Sequence, residues 1–139
     1  MPDIAHSAQD MIARMTPRRT AGEYVFATTD DPALVRDLAP QAQGVFAEAE
    51  GTSMILPVDL AAKAGFDVTA PMHCITLAVY SALDGVGLTA AVAGALAQHG
   101  IPCNMVAAFH HDHVFVPVAS SAQAIEILQA LQKRYITKR

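Results

Sequence analysis

Apolar residues recur along this 139-residue chain with two periods, and each change of period marks an element boundary. Ile4, Ala8, Met11, Ile12 and Met15 fall at helical spacing, which predicts a short amphipathic helix closed by Thr16-Pro17. Glu23 to Thr28 (EYVFAT) predicts a strand. Asp31-Pro32 predicts a helix start, because Asp can cap free N–H groups and Pro fits the first helical position. That helix runs through Leu38 and ends by Pro40. Residues 43–49 and 52–58 predict two strands joined at Glu50-Gly51-Thr52, a tight turn where glycine can take positive φ. Asp59 to Ala64 predicts a short helix stopped by Gly65.

The same order then returns. In Met72–Tyr80, Ile75, Leu77 and Val79 share one strand face and Cys74, Thr76, Ala78 and Tyr80 the other. Both faces are fairly apolar, so both are expected to be covered. Leu88, Ala91, Val92, Ala95, Leu96 and His99 form one helical stripe, stopped by Gly100 with Pro102 just beyond. Strands are predicted at 103–109 and 114–118. Ser120-Ser121-Ala122-Gln123 has capping-box spacing and opens a last helix carrying Ile125, Leu128, Leu131 and Tyr135. Each half reads β-α-β-β-α. One more strand per half completes the βαββαβ, ferredoxin-like plan, so the expected class is α+β with two such units packed together. The boundary falls near Phe66–Pro71.

Composition narrows the function. The chain is 53% apolar and 16% charged, which predicts a folded, well-buried protein. The net charge is −4 and the nine Lys and Arg residues are mostly scattered, so no nucleic-acid surface is expected. No apolar run approaches the roughly 20 residues of a membrane helix. The opening MPDIAHSAQDM lacks a basic segment followed by an apolar core, so no signal peptide is expected, and the two cysteines make a reducing cytoplasm the simpler reading. Cys74 and Cys103 sit on predicted core strands, so no disulfide framework is expected.

Two segments carry candidate chemistry. In Ser81-Ala82-Leu83-Asp84-Gly85-Val86-Gly87-Leu88-Thr89, Gly85 and Gly87 let the backbone approach a ligand. N–H groups at a helix start favour a carboxylate, and Asp84 can pair with an ammonium. One loop can thus read both charges of an α-amino acid; the bland reading is a strand-to-helix turn that uses glycine for geometry alone. The second segment is His110-His111-Asp112-His113, whose composition invites a zinc or iron site. Neighbouring strand residues point to opposite faces, so only His111 and His113 can share one, and a structural or ligand-contacting role is favoured. Asn104 either satisfies a nearby backbone group or reaches a ligand across a paired strand. Cys103 and His99 have no oxyanion-hole signature beside them, so catalysis is not expected. Glu48 and Glu50 share a strand face that is read as solvated, and no cofactor is implied.

Ser81 to Ala119 (SALDGVGLTAAVAGALAQHGIPCNMVAAFHHDHVFVPVA) resembles the ACT-domain group of small free-standing bacterial proteins and the cytosolic arginine sensors called CASTOR. The shared runs are S-x-L-x-x-V-G-L-T-A-A, G-I-x-x-N and H-D-H-x-F-V. Gly22-Glu23-Tyr24-Val25-Phe26 and Phe46-Ala47-Glu48-Ala49-Glu50-Gly51-Thr52 are similar to that family's first unit. The resemblance implies tandem ACT-like units at residues 1–68 and 69–139, the first with a leading helix. It implies a non-catalytic sensor of a small molecule, typically an amino acid, and a homodimer that rebuilds a ligand interface. The ligand site it implies comprises Ser81, Asp84, Gly85, Val86, Gly87, Leu88, Thr89, Asn104, His111, Asp112 and His113. An unidentified protein target is also implied. The rival readings are a ligand-free assembly module and a metal-binding protein built on His110–His113.

Overall fold

The computed structural model describes residues 7–79 and 86–137. The chain divides into two compact units, Gly22–Met72 and a second made of Met1–Ala21 with His73–Arg139.

Gly22–Met72 holds β2 (Tyr24–Thr29), α2 (Pro32–Leu38), a 3-10 turn (Ala39–Gln41), β3 (Gly44–Ala47), β4 (Thr52–Pro57) and α3 (Val58–Lys63). β4 lies between β3 and β2 and is antiparallel to both, with Val45 opposite Met54 and Val25 opposite Leu56. Met72 pairs with Tyr24 on the other edge of β2. Alternation puts Val25, Met54 and Leu56 on one face, where Leu38 of α2 and Ala61 of α3 close a small core. α2 starts as the sequence predicts: Asp31 Oδ1 accepts from Ala33 N–H at 3.0 Å, with Pro32 just inside. α3 begins one residue earlier than expected, at Val58.

The second unit is assembled from both ends of the described chain. It contains α1 (Ala8–Arg14), β1 (Pro17–Arg19), β5 (Met72–Leu77, whose first residue is grouped with the other unit), α4 (Leu88–Ala97), β6 (Asn104–Ala107), β7 (Asp112–Pro117), a 3-10 turn (Val118–Ser120) and α5 (Ser121–Thr137). Its strand order is β1-β5-β7-β6. β1 takes the place that a final strand holds in the ferredoxin-like plan. It pairs antiparallel with β5, Pro17 opposite Leu77 and Arg19 opposite Ile75. Ile75, Leu77, Val114 and Val116 face Val92, Leu96 and Leu128 of the helices, and α1 adds Met11, Ile12 and Met15. Each such side chain, fully buried, is worth about 1.5–3 kcal/mol over leaving it in water.

Three expectations change here. β1 was not foreseen, since three residues with two arginines carry no alternation long enough to read. The leading helix packs against α4 and α5 rather than within the first half. β5 ends at Leu77 rather than Tyr80, and β7 begins at Asp112 rather than residue 114, so Asp112 and His113 belong to a strand.

Candidate functional site

The β5–α4 side of the second unit holds the residues on which the sequence concentrates chemistry. Ser81, Asp84 and Gly85 lie outside the described residues. From Val86 onward the entrance of α4 is defined. Leu88 is 3% exposed and anchors the first turn in the core, whereas Val86 is 78% exposed and Thr89 faces solvent. Gly87 occupies the N-cap position with φ +108°, in the left-handed region, and offers no side chain to cap the helix. Among the described residues the helix ladder begins with Ala91 N–H donating to Gly87 C=O at 3.0 Å. The N–H groups of the first turn therefore precede that ladder, and the helix dipole adds positive character to them. Gly87 is also required by space. A Cβ built there would lie 2.7 Å from Cβ of Ala8, the first residue of α1.

The histidine turn joins β6 to β7. Ala107 pairs with Asp112, and Ala108 N–H donates to His111 C=O at 3.0 Å. His113 Nδ1 and Thr76 Oγ1 are 2.9 Å apart in a hydrogen bond whose direction follows the imidazole tautomer. That bond sets the base of the turn beside the C-terminal half of β5, the strand that leads toward α4. Burial holds the His113 pKa below the ordinary histidine value; His111 nearby acts in the same direction and Asp112 opposes it. The His111 and His113 rings stand 6.4 Å apart, centroid to centroid. Phe109 at the tip is 76% exposed and meets His110 edge-on at 5.1 Å. Among the described residues no group of three or more His, Cys, Asp or Glu converges as a metal site.

Asn104 stands apart from this cluster. It opens β6 opposite Phe115, and its amide donates to Phe115 C=O at 3.3 Å. Three residues of strand separate it from the Ala107–Asp112 pair, roughly 10 Å at the usual rise. His99 Nδ1 bonds the Ala95 carbonyl at 3.0 Å. Burial raises the Cys103 thiol pKa, and does the same first for Cys74, opposed there by the Thr20 and Thr76 hydroxyls. Neither thiol is thus poised as a thiolate nucleophile.

Sequence reasoning missed three contributors. Thr76 carried no signal beyond its place in the alternation. Ala8 carried only its place in the leading helix's spacing, since its importance lies in being small beside Gly87. His73 and Ser121 form a buried pair, Nδ1 to Oγ 2.7 Å, that ties β5 to the start of α5.

The Gly22–Met72 unit repeats the topology in reduced form. The end of β2, the start of α2 and the β3–β4 hairpin border an open groove of about 420 Å³ that includes Thr29, Asp30, Arg36, Glu48 and Glu50. Ser53 Oγ donates to Glu48 Oε1 at its margin. No helix among the described residues is long and apolar enough to cross a membrane.

An ACT-domain family model matches residues 69–130 and a second ACT-domain model matches residues 6–73. No curated protein matches the chain. A Vibrio cholerae protein of unknown function, described as a possible transport protein, is 37% identical with a TM-score of 0.77, over 87% of this chain and 92% of that one. An Agobacterium tumefaciens protein is 19% identical with a TM-score of 0.64, covering 86% and 90%. The regulatory subunit of aspartate kinase from Thermus thermophilus shares the fold at 10% identity, with a TM-score of 0.62 over 86% of this chain and 97% of that one. With a family model on each half and the ferredoxin-like arrangement of strands and helices in place, this chain belongs to the ACT-domain family, as a tandem ACT protein.

Proposed function

We propose that the chain is a regulatory sensor, without catalysis of its own, that binds a small amino-acid-like ligand at the α4 entrance. One observation carries this reading. Of two helices at the same topological position, α2 is capped by its own Asp31, whereas α4 begins at a glycine that leaves its first turn without such a cap. A ligand carboxylate suits those N–H groups, and Asp84 and Asp112 suit an ammonium or guanidinium. Ser81, Gly85, Val86, Leu88 and Thr89 shape the cradle in this reading, with His111 and His113 beside it. Asn104, on an edge strand, reaches the ligand from a second copy. The protein is then a cytoplasmic homodimer acting on a protein target, in the manner of the arginine sensors it resembles. In descent, residues 1–68 and 69–139 are the two ACT units. Binding acts by favouring one packing of paired units over another, and shifts that balance by no more than its differential affinity.

The exposed Val86 and Phe109 favour a second reading, an assembly surface that needs no ligand. A thermal-shift screen over the proteinogenic amino acids at millimolar concentration separates the two. Binding to the native state at a hundred times Kd adds about 2.7 kcal/mol of stability. Asp84→Ala is expected to abolish that shift while the unliganded protein melts as before. No shift with any amino acid leaves the assembly reading standing.

A further inference from the structure

The chain just before β1 touches both ends of the stretch that joins β5 to α4. At the exit of β5, Ala78 N–H donates to Met15 C=O at 2.6 Å and also lies 3.2 Å from Thr16 C=O. At the entrance of α4, Ala8 rests against Gly87 so closely that any Cβ there would overlap it. Between these two contacts α1 is fixed to the core. Met11, Ile12 and Met15 are each no more than 1% exposed. Gln132 Nε2 of α5 donates to Ala13 C=O at 3.0 Å and to Thr16 Oγ1 at 2.9 Å, and β1 continues the segment along β5.

We propose that residues 8–17 are a positioning strap: their docking fixes the distance and orientation between the β5 exit and the α4 entrance, and so sets the shape in which the α4 amides meet a ligand. Ala8 seats where a Gly87 side chain would otherwise lie. Val86 and Thr89 stay exposed, so the strap shapes the entrance without closing it. Coupling of this kind is reciprocal. A ligand at the entrance tightens the strap by the same factor by which a loosened strap weakens the ligand. The second half of this proposal rests on the ligand reading above; the first half does not.

The test is hydrogen–deuterium exchange on the full chain, with a parallel L-arginine titration by calorimetry. Ser7→Ala removes the hydroxyl that accepts from Asp10 N–H at 3.1 Å and caps α1. It is expected to speed exchange about five-fold at 10–13 and, through Ala8, at 91–94, the first amides of the α4 ladder, the size of effect an N-cap loss produces. Ala8→Leu overfills the seat and is expected to speed 91–94 by about ten-fold while strands 104–107 and 112–117 keep their protection. Ala8→Gly removes the Cβ that rests on Gly87 and is expected to speed 91–94 by a smaller factor, about two-fold. If Ser7→Ala and Ala8→Leu speed exchange in α1 and leave 91–94 unchanged, the strap does not position the entrance and the proposal is overturned. Wild-type binding of L-arginine that falls several-fold in Ala8→Leu supports the coupling, and binding that tightens overturns it. Absence of L-arginine binding to wild type counts against that ligand alone, and the exchange result then decides the strap by itself.

Discussion

The chain builds a strand-to-helix entrance twice, and the two are finished differently. At α2, Asp31 and Pro32 complete the helix from within the sequence, and the hairpin beside it carries Glu48 and Glu50. At α4, a glycine in the left-handed region opens the helix, and the hairpin beyond β5 carries histidines around one aspartate. The surrounding cores differ as well. α2 and α3 are short and share a small cluster with Val25, Met54 and Leu56, whereas α4 is held in a large core that α1 and α5 enlarge. Duplication of a fold thus does not duplicate a site. Under the proposed reading, recognition falls to the half whose helix begins without a capping side chain, on the larger of the two cores.

The comparison breaks first at the glycines. Gly87→Ala incurs both the left-handed backbone and the contact with Ala8, and is expected to cost about 2 kcal/mol. Gly65→Ala has φ +87° but open space around its Cβ, so it incurs the backbone term alone, about 1 kcal/mol. Urea titrations of both variants compare them directly, and equal losses would mean that α1 yields readily at Gly87. Next is the cap. Asp31→Ala is expected to cost about 1 kcal/mol and to leave the response to amino acids untouched. A lost response would transfer recognition to the first half.

The smallest expected effect concerns pH. Burial holds the His113 pKa below the ordinary histidine value. Its contribution is fully present above the unfolded histidine pKa of about 6.5 and is lost as pH falls through the lower folded value. Thermal midpoints between pH 8 and pH 5 should therefore fall more steeply for wild type than for His113→Gln. Parallel curves would show that Thr76 and the neighbouring strand do not select the neutral ring.

Long periodic elements were legible because burial acts on every second or every third-to-fourth residue. Leu88, Val92 and Leu96 face inward as their spacing requires, and Asp31 caps where an Asp-Pro pair predicts. β1 was illegible because three residues paired with a strand 58 or so positions away leave no local pattern, and only the register with β5 defines them. The site was partly legible. Glycine and histidine in unusual density mark a loop and a turn, yet the Thr76–His113 bond and the Ala8 contact depend on which strands and helices become neighbours. For Asn104 the sequence offers two roles, and the first, a bond to a nearby backbone group, is present as its amide donating to the Phe115 carbonyl.

The borrowed strand also governs the order in which the molecule can mature. Gly22–Met72 is continuous and can close while the remainder is still being translated. Met11, Ile12 and Met15 lack part of their core until α5 emerges, since Leu128 and Leu131 complete their cluster and Gln132 grips a carbonyl 119 positions upstream. Through that interval the growing chain carries an apolar segment whose seat is incomplete, and α5 is the helix that covers it.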